Sequence, residues 1–176
     1  AVHFIQKLRD LLIGNTNRDL QTSVKWDGAP AIWMGPHPKT KRFFIAKKSL
    51  FNKQPLYYIS EGQIKNAKEL STELKSKFLL AFKLFKDVKF DKILQGDFLF
   101  DSSDIKKETI DGVSYIVFHP NTIAYSIPED SELAKTIKRK KMGIVFHTSY
   151  TGNSIETLSA MAGAKIPKVH KDVWAI

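Results

Sequence analysis

The chain has 176 residues, and its 28 Lys+Arg against 18 Asp+Glu give a formal net charge of +10. It contains no cysteine, which excludes a disulfide framework, a cysteine nucleophile and a zinc–thiolate site and fits a reducing, cytoplasmic compartment. No apolar run approaches the roughly 20 residues of a membrane-spanning helix. A positive surface attracts phosphates at long range, so the composition favours a nucleotide or nucleic-acid partner. The alternative is that the lysines chiefly maintain solubility.

The sequence pattern of the first half of the chain predicts two helices with three short strands between them. Apolar residues recur every three or four positions in two segments, as on the buried face of a helix. The patterns predict a helix over residues 2–12, strands over residues 22–26, 31–34 and 42–47, and one long helix over residues 64–85.

The second half predicts mainly strands. Asp111-Gly112 between two apolar runs is typical of a two-residue hairpin turn. The patterns predict strands over residues 93–100, 109–110, 113–119, 122–126, 143–148 and 172–176, and helices over residues 131–141 and 154–161. The whole chain is therefore expected to form an α+β fold, with mostly antiparallel sheets and flanking helices.

The tetrapeptide Lys25-Trp26-Asp27-Gly28 is the sharpest candidate for chemistry. Alternation along a strand would place Lys25 and Asp27 on one face. A neutral lysine amine can attack phosphorus, and neutralising an ordinary lysine at pH 7 costs about 4.6 kcal/mol. A neighbouring cation such as Lys47 or Lys48 would reduce that cost. The alternative is a surface lysine beside an Asp-Gly turn.

This tetrapeptide resembles motif I, Lys-x-Asp-Gly, of the covalent nucleotidyltransferases: ATP-dependent DNA ligases, RNA ligases and mRNA capping enzymes. The resemblance implies that Lys25 is the nucleophile and becomes adenylylated, with Asp27 and Gly28 beside it. The string AKKSLF resembles the next motif of that family, which implies that Lys48 and Ser49, beside Lys47, contact the sugar and phosphate.

Two later strings resemble further motifs in the same order. LQGDFLF resembles motif III and implies that Asp97 contacts ribose and a Mg²⁺ ion. SYIVFHP resembles the aromatic motif and implies that Phe118 stacks on the base. Lys165 and Lys168 lie where the family carries its α-phosphate-binding lysines, at a different spacing, and they are the candidates for that role.

The resemblance implies one ligase-type adenylation domain (ATP-grasp-like) over residues 1–176, truncated at its C-terminus, that uses ATP and Mg²⁺ on RNA or DNA. The basic run Lys138, Arg139, Lys140 and Lys141 would hold nucleic-acid phosphates, or would form a solvated helix end. Met142 replaces the Glu of motif IV. The alternative function is therefore a catalytically degenerate nucleotide- or nucleic-acid-binding protein. Strings such as KWDGAPA and GIVFHTSYTG also resemble uncharacterised phage proteins near the ligase-like group, which implies a viral origin.

Overall fold

Most of the predicted strands assemble into one six-stranded sheet. The computed structural model describes residues 5–6, 9–10, 12–14 and 25–176. In the large sheet the strands lie in the order β2-β1-β3-β7-β8, and β9 pairs in parallel with β7, whereas the other strand pairs are antiparallel. These strands are β1 (Ala31–Pro36), β2 (Phe43–Ala46), β3 (Ile93–Asp101), β7 (Met142–Thr151), β8 (Ser159–Ala162) and β9 (Val173–Ala175).

A second, three-stranded antiparallel sheet consists of β4 (Lys106–Ile110), β5 (Val113–Phe118) and β6 (Tyr125–Pro128). The hairpin predicted at Asp111-Gly112 is confirmed. Both residues have positive φ, 50° and 80°, as a turn that follows the twist of the strands requires. β6 begins three residues later than predicted.

Within residues 25–176, three helices pack on the sheets: α1 (Glu61–Asn66), α2 (Thr72–Phe85) and α3 (Glu132–Ile137). Each is capped by a serine, namely Ser60, Ser71 or Ser131, whose hydroxyl accepts a hydrogen bond from the backbone N–H three residues later. The prediction of one helix over residues 64–85 is wrong, because the backbone leaves the helical region at Ala67 (ψ 111°) and restarts at the Ser71 cap.

The helix predicted over residues 154–161 is also wrong. Ser154 does cap a turn, but that turn is a 3₁₀ helix of three residues, Ile155–Thr157, and the chain then enters β8. β8 takes backbone hydrogen-bond partners from the end of β7, and this pairing overrides the local helix signal. The basic helix predicted over residues 131–141 is shorter than expected and ends at Ile137.

The N-terminal predictions fall largely outside the described residues. Positions 22–24 of the predicted strand over residues 22–26 are among these, and Lys25 and Trp26 themselves are not in a strand. The described residues of the predicted helix over residues 2–12 are helical, and Ile5 and Leu12 are exposed there. Within the described parts of the chain, no helix has the length and apolar character needed to cross a bilayer.

The two faces of the large sheet have different neighbours. Met34 and Leu94 are paired across β1 and β3 and face a core that includes Phe78 and Phe82 of α2. Trp33, the residue before Met34, lies in a separate hydrophobic core, to which a 3₁₀ turn at Lys48–Phe51 also contributes. Since side chains alternate along a strand, Gln95, the register partner of Trp33, lies on the face opposite α2. Asp97 follows two residues later on that same face.

Candidate functional site

A pocket of about 500 Å³ opens on the face of the large sheet away from α2. Its walls come from β3, from β7 and from the segment that precedes β1. The lining residues are Lys25, Trp26, Asp27, Gln95, Asp97, Val145, Phe146 and His147. The structure therefore brings together three of the charged residues that the sequence proposed for the site, Lys25, Asp27 and Asp97.

A bulge between β3 and β7 shapes the floor of the pocket. Gly96 pairs with Phe146 while Gln95 pairs with Thr148, so His147 is an extra residue with no partner in the ladder. A Cβ on Gly96 would lie 2.5 Å from the Val145 carbonyl oxygen, so only glycine allows the two strands to approach this closely. The bulge places His147 Nε2 3.6 Å from Asp97 Oδ1, and His147 Nδ1 lies 2.8 Å from Thr148 Oγ1.

The segment carrying Lys25 and Asp27 is held by the second sheet. The Tyr125 hydroxyl of β6 accepts a hydrogen bond from the Asp27 N–H (2.7 Å) and donates one to the Asp27 carbonyl oxygen (3.0 Å). The Trp26 ring packs on Tyr125 with centroids 4.7 Å apart and meets Trp174 edge-on at 5.2 Å. These contacts fix the backbone of the tetrapeptide although it belongs to no strand.

Gly28 brings the same segment against β3. A Cβ at Gly28 would lie 2.4 Å from the Phe98 carbonyl oxygen, which also accepts a hydrogen bond from the Ala29 N–H at 3.0 Å. A side chain at position 28 would therefore separate the segment from the strand that carries Asp97. The close contact with β3 thus explains why a glycine occupies position 28 of this fold.

The polar groups in the pocket have unequal surroundings. Lys25 is exposed, whereas Asp27 and Asp97 are partly buried. One Asp27 carboxylate oxygen accepts a hydrogen bond from Asn121 Nδ2 at 3.4 Å. One ammonium thus faces two carboxylates, with His147 beside Asp97. Such a pocket offers an amine nucleophile at its mouth and oxygen ligands for a cation further in.

The donor set suits a Mg²⁺ ion that is shared with phosphates. Mg²⁺ binds through one or two carboxylates together with substrate phosphates and water, rather than in an all-protein cage. Asp27 and Asp97 line one pocket and meet that requirement. Among the described residues no cluster of three or more His, Cys, Asp or Glu side chains forms a closed metal site.

The structure does not bring Lys47, Lys48 and Ser49 into this pocket. Lys47 follows the last residue of β2 and donates from Nζ to the Glu69 carbonyl oxygen at 3.2 Å. Lys48 is exposed on the following 3₁₀ turn. The Ser49 Oγ is buried and has no hydrogen-bond partner among the described residues. The expectation that the basic pair 47–48 lines the hollow around Lys25 is therefore not met.

Phe118, Lys165 and Lys168 also lie away from the pocket. Phe118 is fully buried and packs against Phe100 (4.9 Å between centroids), so neither face of its ring is open to a base. Its predicted stacking role is corrected on that ground. Lys165 lines a different cavity of about 170 Å³, together with Leu94 on the α2 face of the sheet. Lys168 is exposed and does not line the Lys25 pocket.

The basic run after α3 is largely engaged in local contacts. Lys138 pairs with Glu129 at 3.1 Å and Lys141 with Asp172 at 2.7 Å. Lys140 donates to the Lys171 carbonyl oxygen at 2.6 Å, and Arg139 lines a shallow neighbouring surface pocket. The hydrogen bond from Lys141 is the main reason that the pKa of Asp172 lies below its usual value. Glu129 and Asp172 therefore offset part of the positive charge of the run, whereas Lys140 and Arg139 have no carboxylate partner among the described residues.

Four further residues contribute to the site, namely Gln95, His147, Tyr125 and Asn121. Gln95 lies two positions before Asp97, so strand alternation alone would have placed it on the same face. His147 reaches the pocket through a bulge that the sequence pattern does not reveal. Tyr125 and Asn121 contact Asp27 from about a hundred residues away in sequence, and only the tertiary fold shows this.

The chain was compared with family models, curated proteins and solved structures. No curated protein and no solved structure matches it. The model of a family of unknown function, DUF6267, matches residues 1–176. The α+β chain that builds the Lys25 pocket therefore belongs to the DUF6267 family.

Proposed function

We propose that the protein is an ATP-dependent nucleotidyltransferase of the polynucleotide-ligase type, built on a ligase-type adenylation domain, that forms a covalent lysyl-AMP at Lys25. The observation that supports this proposal is the convergence of Lys25, Asp27 and Asp97 on one pocket. Its volume of about 500 Å³ lies within the range of small-molecule sites.

The first reaction joins the Lys25 amine to the α-phosphorus of ATP. The Nζ lone pair forms the phosphorus–nitrogen bond, and the bond from that phosphorus to the oxygen bridging the β-phosphate breaks. Pyrophosphate leaves with the electron pair, and the amine loses its proton to solvent, which reaches Lys25 because the residue is exposed. In the second reaction an oxygen of a polynucleotide 5′-phosphate forms a bond to the phosphorus of the lysyl-AMP. The phosphorus–nitrogen bond breaks, and the Lys25 amine leaves with the electron pair and takes up a proton from solvent.

The chain's own residues hold the reacting groups in position. The Tyr125 hydroxyl and the close packing at Gly28 fix the backbone beside Lys25. Little conformational entropy is therefore lost when the amine is positioned for reaction. Asp97 and Asp27 are the residues that would hold Mg²⁺. When bound, that ion draws charge from the phosphate oxygens.

One observation favours a second function, a nucleotide- or nucleic-acid-binding protein without the covalent step. Met142, which stands at the position of the motif IV glutamate, is fully buried in the core beneath the large sheet. It supplies no group to the pocket, and Lys165 faces another cavity. On this reading the pocket still binds the nucleotide, but phosphate charge is too poorly neutralised for transfer.

Labelling with ATP separates these functions. Purified protein is incubated with α-labelled ATP, with and without Mg²⁺, then denatured and separated on a gel. The proposal expects label that remains on the chain, is released by acid, requires Mg²⁺ and disappears in Lys25→Ala. Lys106→Ala, which removes an exposed lysine on β4, is the matched control and should label as the wild type does.

Two results would decide against the proposal. Equal labelling of Lys25→Ala and wild type would show that another group reacts. Binding of ATP without any covalent label, across metals and pH values, would establish the second function instead.

A further inference from the structure

Phe51 is a large aromatic side chain left partly in solvent and yet held in place. It ends the 3₁₀ turn Lys48–Phe51 and is 46% exposed. Its ring meets Trp33 nearly edge-on (5.6 Å, 79°) and lies tilted against Tyr150 (5.6 Å, 35°). Two neighbours therefore fix the ring, and the remainder of its surface is open.

No other exposed large hydrophobic side chain of the described residues is aromatic. The others are aliphatic or methionine, such as Ile110, Val113 and Met161. An aliphatic side chain covers apolar surface, but only a planar ring stacks on a nucleobase. Among these exposed hydrophobic side chains, Phe51 is thus the one that combines exposure with stacking chemistry.

Tyr150 connects this ring to the Lys25 pocket. The Tyr150 hydroxyl donates to Gln95 Oε1 at 2.6 Å, and Gln95 lines the pocket. Trp33 and Gln95 are register partners on β1 and β3, so Phe51 packs on the same face of the large sheet as Asp97. The exposed ring and the pocket are therefore neighbours on one surface.

Positive charge flanks Phe51 along the chain. Lys48 precedes it by three residues and Lys53 follows it by two, and both are exposed. Exposed lysines around an aromatic ring are the combination that binds single-stranded nucleic acid, in which phosphates meet the ammonium groups and a base stacks on the ring.

We propose that Phe51, supported by Tyr150, is a stacking platform for a base of single-stranded DNA or RNA, with Lys48 and Lys53 on the flanking phosphates. The proposal rests on the proposed function for its choice of a polynucleotide as ligand. The strand would run across the face of the large sheet toward Lys25. This assigns a substrate-binding role to a segment whose basic residues do not reach the pocket.

Fluorescence anisotropy with a 5′-phosphorylated, labelled single-stranded oligonucleotide of twelve or so residues tests the platform. A matched abasic strand carries the same phosphates without bases. Phe51→Ala should weaken binding of the normal strand about 5- to 150-fold, the loss expected from one stacked base. Phe51→Trp should retain binding because the larger ring also stacks. Met161→Ala, which truncates another exposed side chain, should bind as the wild type does.

The outcomes separate this platform from the ligase function, with Lys25 labelling measured on the same wild-type preparation. Equal Kd values for wild type and Phe51→Ala, or equal wild-type affinity for the normal and abasic strands, would overturn the platform even if Lys25 is labelled. Binding that depends on Phe51 without any label at Lys25 would support the platform and refute the ligase function. Failure of wild type to bind the strand would also overturn the platform.

Discussion

Replacing Gly28 by alanine should disable the site while leaving most of the fold intact. The added Cβ would lie 2.4 Å from the Phe98 carbonyl oxygen, and ordinary contacts begin at 3.4 Å. The segment that carries Lys25 and Asp27 must therefore move about 1 Å away from β3. Displacements of about 1 Å in a reacting geometry cost on the order of 100-fold in rate. We expect Gly28→Ala to slow lysyl-AMP formation by about that factor.

Gly28→Ala should lower the free energy of unfolding by only about 1–3 kcal/mol, as other overpacked contacts do, so the protein should remain folded. The assay is the labelling rate at saturating ATP, measured beside the thermal midpoint. Gly62→Ala is the matched control, since its Cβ would meet only Ser60 Oγ at 3.9 Å and it lies within α1. An unchanged labelling rate in Gly28→Ala would refute the idea that close packing on β3 positions Lys25.

Two further changes test the support of the site and the titration of the loop after β1. Tyr125→Phe removes the hydroxyl that hydrogen-bonds to the N–H and the carbonyl oxygen of Asp27. It should lower the free energy of unfolding in urea by about 1–3 kcal/mol and slow the labelling of Lys25. A wild-type unfolding free energy together with a wild-type labelling rate would contradict this. Burial lowers the pKa of His37, whose Nδ1 accepts from the Lys39 and Thr40 N–H groups. The unfolded chain therefore binds a proton at His37 more readily than the folded chain does. Lowering the pH from 7.5 to 5.5 should thus lower the urea concentration at the unfolding midpoint. His37→Asn, which keeps an acceptor, should show a smaller fall, and an identical fall would contradict this assignment.

Local signals predicted the parts of the fold that depend on neighbours in sequence. Asp111 and Gly112 adopt positive φ more readily than most residues, and they formed the predicted hairpin turn. The predicted strand over residues 93–100 formed as β3, and strand alternation then places Gln95 and Asp97 on one face of the sheet. The helix over residues 154–161 failed since its second half found backbone partners on β7, and pairing of that kind is not encoded locally.

The same distinction explains which site residues could be predicted. Gly96 and Gly28 stand in strings that resemble family motifs, but the structure gives each glycine a local reason, which is its close approach to the backbone of a strand distant in sequence. His147 enters the pocket only because a bulge shifts the register of β7. Phe118 also stands in a string that resembles a family motif, yet its ring packs against Phe100 and Tyr125 and is not accessible to a nucleotide base.

The charge of the molecule and the charge of the pocket act at different ranges. The net charge of +10 attracts a polyanion from a distance, and salt weakens that attraction. Inside the pocket, however, two carboxylates face one ammonium, so the proposed triphosphate would meet two negatively charged side chains and one positively charged lysine. Asp97 and Asp27 would hold a divalent cation in the proposed function, and the charge of that ion would reverse this balance. The proposed function therefore predicts that nucleic acid binds the basic surface without a metal, whereas binding of ATP next to Lys25 requires one.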